Sequence, residues 1–224
     1  MAYQANGQIK EALKLLEHVV AVRERTLAED HPHRLASQHE FAIAYRANGQ
    51  IKEAVKLLEH VVAVRERTLA EDHPDRLASQ HALAVAYRAN GQIKEAVKLL
   101  EHVVAVRETT LAEDHPHRLA PQHALAMAYQ ANGQIKEALK LLEHVVAVQG
   151  TTLAENHPSR LASQHALAGV YEANGQIAEA VKLLEHVVAR KREIMSPSHP
   201  SRLVSEQNLE YCREILDGSS SSYP

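Results

Sequence analysis

Tryptophan is absent from this 224-residue chain, Phe41 is its single phenylalanine, and aromatic residues make up only 4% of it. Compact globular cores lean on large rings for volume, so a core of that kind is disfavoured. Charge imbalance is lacking as well. A net charge of −3 excludes the clustered basic face that nucleic-acid binding needs. No apolar run approaches the ~18 residues of a membrane span, and the opening Met1-Ala2-Tyr3-Gln4 has neither the charged nor the apolar region of a secretory leader. With Cys212 as the only cysteine, no internal disulfide can form, and a reducing, cytoplasmic setting is expected.

What the chain has instead is repetition, at a period of 42 residues. Tyr3, Tyr45, Tyr87, Tyr129 and Tyr171 recur in register, and so do Gly7, Gly49, Gly91, Gly133 and Gly175. Segments 34–75 and 76–117 differ at five positions: Glu40/Ala82, Phe41/Leu83, Ile43/Val85, Arg67/Thr109 and Asp75/His117. A fixed period of this length marks a stacked repeat architecture.

Each repeat reads as two helices. In 76–117 the first covers roughly 75–90. Pro74 stands where a first turn tolerates a missing N–H, and Asn90-Gly91 supplies the left-handed stop. The second runs from about Ile93 to Leu111, with Ile93, Ala96, Val97, Leu100, Val103 and Val104 forming one apolar stripe. No stretch alternates with the period of a strand. Ala84 and Ala96 are small where helices must approach closely, and Tyr87 and Leu100 fill the space around them. One unit cannot bury its stripe alone, so stability comes from neighbour contacts.

The pattern Leu83-Ala84-x-x-Tyr87-x-x-x-Gly91-x-x-x-x-Ala96-x-x-x-Leu100 resembles the tetratricopeptide repeat signature. The 42-residue unit with its long second helix and Asp-His-Pro turn is similar to the kinesin-light-chain subtype. Near-duplicate copies of it resemble the C-terminal arrays of fungal NACHT or NB-ARC receptor-like proteins. The resemblance implies an all-α, right-handed superhelical solenoid of helix-turn-helix repeats over about residues 1–216. The expected divisions are a truncated first repeat at 1–33, repeats at 34–75, 76–117, 118–159 and 160–201, a capping helix at 202–217 and a disordered tail at 218–224.

The ends differ from the middle. Glu210, Cys212 and Arg213 replace the residues equivalent to Ala84, Ala86 and Tyr87, which suits water rather than another stacking contact. Residues 2–7 match the end of a first helix whose beginning is missing. The chain is then either a piece of a longer array or a partner in a homodimer closed through its open N-terminal end.

Sixteen histidines raise the question of metal. They occupy three repeated places: His39, His81, His123 and His165 in the first helices; His18, His60, His102, His144 and His186 in the second; and the five His-Pro turns, with His33 and His117 added. Equivalent residues in stacked units stand roughly 10 Å apart, too far to converge on one ion, so they form a ladder and not a cage. His39-Glu40-Phe41-Ala42-Ile43 lacks the second histidine of a zinc-protease helix. Ser37 and His39 face different sides of their helix, and no glycine-rich phosphate loop is present. No enzyme activity and no cofactor or metal is expected.

The tetratricopeptide resemblance places the first helices on an inner, concave face. In 76–117 the inward positions become Ala78, His81, Val85 and Arg88. Through the copies, the Val85 position reads Ile43, Val85, Met127, Gly169, and the Arg88 position reads Arg46, Arg88, Gln130, Glu172. After the ladder histidine the chain has Glu40, then Ala82, Ala124 and Ala166. Arg65, Arg107 and Gln149, and Glu66, Glu108 and Gly150, vary too, as drifting exposed sites do. The groove set is therefore His39, Glu40, Ile43, Arg46, His81, Val85, Arg88, His123, Met127, Gln130, His165, Gly169 and Glu172, basic at Arg46 and Arg88 and acidic at Glu172. It suits an extended peptide or partner helix with acidic residues at one end.

The asparagine pair by which kinesin-light-chain repeats clamp a peptide backbone is replaced by His81-Ala82 or His39-Glu40, and the lysine and asparagine set of a carboxylate clamp is missing. Three readings follow: an interaction scaffold, with the sensor array of a fungal receptor-like protein as its setting; a self-assembling, consensus-like or designed array; and a zinc-binding array. For the first, protonation of the histidine ladder below the ordinary pKa of ~6.5 is expected to strengthen acidic-peptide binding.

Overall fold

A proline opens every first helix and a glutamine precedes every second one. The computed structural model describes residues 9–220. Among them are ten α-helices and no strand: α1 (Ile9–Thr26), α2 (Pro32–Ala47), α3 (Ile51–Thr68), α4 (Pro74–Ala89), α5 (Ile93–Thr110), α6 (Pro116–Ala131), α7 (Ile135–Thr152), α8 (Pro158–Ala173), α9 (Ile177–Ile194) and α10 (Pro200–Ser220). The half-helix expected at 2–7 and the end of the tail at 221–224 lie outside the described residues. The last helix runs on to Ser220, past the expected stop at 217.

Local chemistry sets the boundaries. Each His-Pro histidine is an N-cap whose Nδ1 accepts from the backbone N–H two residues on, at 3.1–3.2 Å. The imidazole thus does the work usually given to Ser or Asp. At the other end Gly91 adopts φ +80, which lets Gln92 N–H return to Tyr87 O at 2.9 Å. Left-handed glycine closes helices in this way. The turn leading into each first helix is stapled by an arginine: Arg34, Arg76 and Arg160 each donate Nη1 to the carbonyl that follows the preceding helix, Leu27, Leu69 and Leu153, at 3.2, 3.2 and 2.9 Å.

The chain divides into two compact units, Met1–Leu111 and Ala112–Pro224. Within the first, α3 places Val55, Leu58 and Val62 between Ala42 of α2 and Leu83 and Ala86 of α4. Within the second, Ala138 and Leu142 of α7 pack with Ala126 of α6 and with Ala166, Leu167 and Val170 of α8. The helices α3 and α7 thus each touch their own first helix and the next one. The alanines at the Ala42 and Ala86 positions are fully buried, small side chains at the places where the helices cross. A buried leucine such as Leu58 or Leu142 contributes about 1.5–3 kcal/mol relative to exposure.

The end of the array corrects one expectation. Cys212 is not turned to water: it is 3% exposed and packs with Leu209 against Val181, Leu184 and Val188. It holds the place of Ala86, on the face that α10 turns toward α9. Glu210 holds the place of Ala84, on the opposite, unstacked side, and is exposed. Capping is confined to one face of the helix. Arg213, also exposed, donates to Glu185 Oε1 at 2.6 Å, where Tyr87 and Tyr171 donate to Glu59 and Glu143.

Candidate functional site

The first helices carry a row of half-buried residues, neither core nor fully solvated. In the first unit these are His39, Glu40, Ile43 and Arg46 on α2 and His81, Val85 and Arg88 on α4. Burial and then the charge of Arg46 lower the Arg88 pKa, so the two guanidiniums stand close enough to feel each other. In the second unit the row is His123, Met127 and Gln130 on α6 and His165, Gly169 and Glu172 on α8. Here the side chains partly serve the fold. Met127 packs on the core of α7 and α8, and Gln130 Nε2 donates to Gly169 O at 3.2 Å. Treating α10 as a cap hid the end of the row. Val204 and Tyr211, in register with Ala78 and Val85, are 47% and 55% exposed.

The ladder histidines are held from beneath. Ser79 Oγ lies 3.4 Å from His39 Nδ1 and also donates to Asp75 O. Arg65, from α3, donates Nη1 to that same hydroxyl and, at 2.7 Å, to Asp75 O. Burial, then Arg65, lowers His39 to a pKa of about 4, with Asp75 opposing. His165 is lowered likewise by burial and by Lys191. His39 therefore stays neutral at pH 5.5. The expectation that the ladder charges just below pH 6.5 is overturned at both positions, because each ring is buried and, in addition, has a cation behind it.

These cations are what reading the sequence missed. Arg65, Arg107 and Lys191 are about 5% exposed, and so is Gln149 at the same position. Their variation is not surface drift, whereas Glu66, Glu108 and Gly150 are exposed. The signal was present: Arg107 falls fourteen residues after Ile93, on the extension of the apolar stripe. Between α6, α7 and α8, where Gln149 stands in place of the cation, a cleft of about 530 Å³ opens.

The histidines of the His-Pro turns cap helices, and His60, His102 and His144 lie 3.6–3.8 Å from Glu29, Glu71 and Glu113. Among the described residues no group of three or more His, Cys, Asp or Glu is placed to hold a metal ion, and no helix is long and apolar enough to cross a membrane.

Paired helices closed by a glycine stop, with alanine seams and a repeat-to-repeat side-chain row, define a helical repeat protein. The family model described as "Tetratricopeptide repeat" matches residues 1–67, 38–109 and 117–193, and the chain belongs to that family. It is similar to nearly identical TPR-like repeats from Podospora anserina, described as a kinesin light chain: 61% identity, TM-score 0.72, covering 87% of this chain and 93% of that one. A variant of those repeats gives TM-score 0.73 at 61% identity over 86% and 91%. At 14% identity BtubC (BKLC) from P. vanneervenii shares the fold, with TM-score 0.65 over 98% and 93%. Among proteins with curated descriptions none matches.

Proposed function

We propose that this chain is a non-catalytic scaffold that holds an extended peptide or partner helix along the exposed row of its first helices. The observation that carries this is the contrast in variability. The seam alanines Ala42, Ala84, Ala126 and Ala168 are identical and fully buried, while the half-exposed row changes size and charge from Ile43 to Gly169 and from Arg46 to Glu172. Packing requires the first and places no such demand on the second, which leaves recognition to use it. The proposed contacts are His39, Glu40, Ile43, Arg46, His81, Val85 and Arg88 in the first unit. In the second they are His123, Met127, Gln130, His165, Gly169 and Glu172. The family's general role in protein interactions supports the reading. A cytoplasmic sensor array of a fungal receptor-like protein is the setting it suits.

The test is capture from an acidic peptide library by the first unit's basic row. Arg46→Glu with Arg88→Glu should abolish capture without lowering the melting temperature; retained capture refutes the groove. A second reading, homodimerisation through α1, draws on the exposure of Leu15 and Val19, 55% and 36%, where Val61, the equivalent of Val19, is fully buried. A scattering mass that rises with concentration and is reset by Leu15→Glu favours it, and a constant monomer mass removes it.

A further inference from the structure

The repeats supply their own controls for the cleft between α6, α7 and α8. In the first unit Arg65 crosses to the next first helix and bonds Asp75 O and Ser79 Oγ. In the second, Lys191 does the same, with Nζ at 3.0 Å from Ser201 O, 2.9 Å from Ser201 Oγ and 2.7 Å from Ser205 Oγ. Arg23 also reaches the corresponding carbonyl, that of His33, at 2.7 Å. Three cations thus land on one frame of acceptors.

At α7 the frame is intact and the cation is missing. Ser159 and Ser163 stand where Ser201 and Ser205 do, but Gln149 is shorter than arginine or lysine, neutral, and bonded to neither. Its Oε1 is buried without a hydrogen-bond partner, on a residue only 5% exposed. Such an atom in a native fold calls for a donor. The cleft beside it is walled by Leu119, Ala120, Leu153 and Ala162 and has Ser163 and Gln149 among its polar lining. Apolar walls suit an aliphatic stem and the acceptors suit a cationic head.

We propose that this cleft takes the side chain of an arginine or lysine from a partner polypeptide, seating its charged head where Arg65 and Lys191 place their own. This deepens the interaction reading by naming the partner's chemistry, and it rests on that reading only for the polypeptide nature of the ligand. Asp114 at the lining adds a carboxylate of the right sign. His117, His123 and His157 also stand at the lining.

The experiment is an NMR titration of the whole chain with N-acetyl-arginine methylamide, and with the citrulline analogue, which has the same shape and no charge. Saturable one-to-one binding with shifts in α6, α7 and α8 is expected, at least tenfold weaker for citrulline. Gln149→Arg refills the cleft as Arg65 does and should weaken binding at least tenfold while keeping the helical spectrum; Gln149→Lys serves as the second filled variant. Absence of saturable binding, equal binding of citrulline, or wild-type affinity in both filled variants would overturn the proposal. Arg46→Glu/Arg88→Glu leaves this binding unchanged. Absence of acidic-peptide capture by the unaltered chain, with arginine binding intact, therefore sinks the groove alone, and absence of arginine binding, with capture intact, sinks the cleft alone.

Discussion

The neighbourhoods of Arg65 and Gln149 are built on the same repeat and end differently. In the first, a buried guanidinium ties α3 to α4 and stands behind His39. In the second, a buried amide leaves its oxygen unbonded beside a cleft, and His123 Nδ1 meets Ser163 Oγ at 3.1 Å. Seams, caps and turns are alike in both. The difference shows that the fold keeps the alanine seam in both units and does without the cation at one position.

The largest effect should come from the shared element. Ala42→Glu and Ala126→Glu place an unpaired charge in fully buried seams, and each should cost about 4 kcal/mol or more. Urea melts should show both units responding alike; a mild effect in either would break the equivalence. The unshared element comes next. Arg65→Ala strips donors from Ser79 and Asp75 and should cost about 1–3 kcal/mol, whereas Gln149→Ala should cost less, since Gln149 bonds neither serine. Gln149→Arg should add roughly 1 kcal/mol. Equal losses at 65 and 149 would erase the distinction.

His39 gives a smaller, pH-dependent difference. Its folded pKa of about 4 lies below the ordinary 6.5, so between these values the unfolded chain binds more protons. Stability from the neutral ring is complete above about pH 6.5 and is lost as pH falls toward 4. His39→Gln should flatten that part of the stability profile, and an unaltered slope would show that the ring is not held neutral. Smallest of all, His73→Ala and His157→Ala should each remove an N-cap at a cost of about 1 kcal/mol, equally in the two units. Unequal losses would mean that the caps differ as the cation sites do.

The architecture was legible because repetition multiplies weak local signals. One glycine after one asparagine is a modest hint, but five in register with tyrosine and His-Pro fix helix ends to within a residue or so. The row on the first helices was legible as positions and less so as roles. Met127 and Gln130 look free in sequence, yet one packs on a core and the other bonds Gly169. Arg65 and Gln149 were misread because a long polar side chain counts as surface unless its place on the apolar stripe is checked. The histidine pH response failed because its causes arise only in packing: burial of the ring first, and then a cation on another helix, twenty-six residues along the chain from His39. Cys212 was misplaced because the two faces of the last helix were treated as one.

The most direct test exchanges the two residues. In the double variant Arg65→Gln, Gln149→Arg, N-acetyl-arginine methylamide should shift the amides of α2, α3 and α4 and no longer those of α6, α7 and α8. Shifts that remain in the second unit, or that appear in neither, would contradict the account.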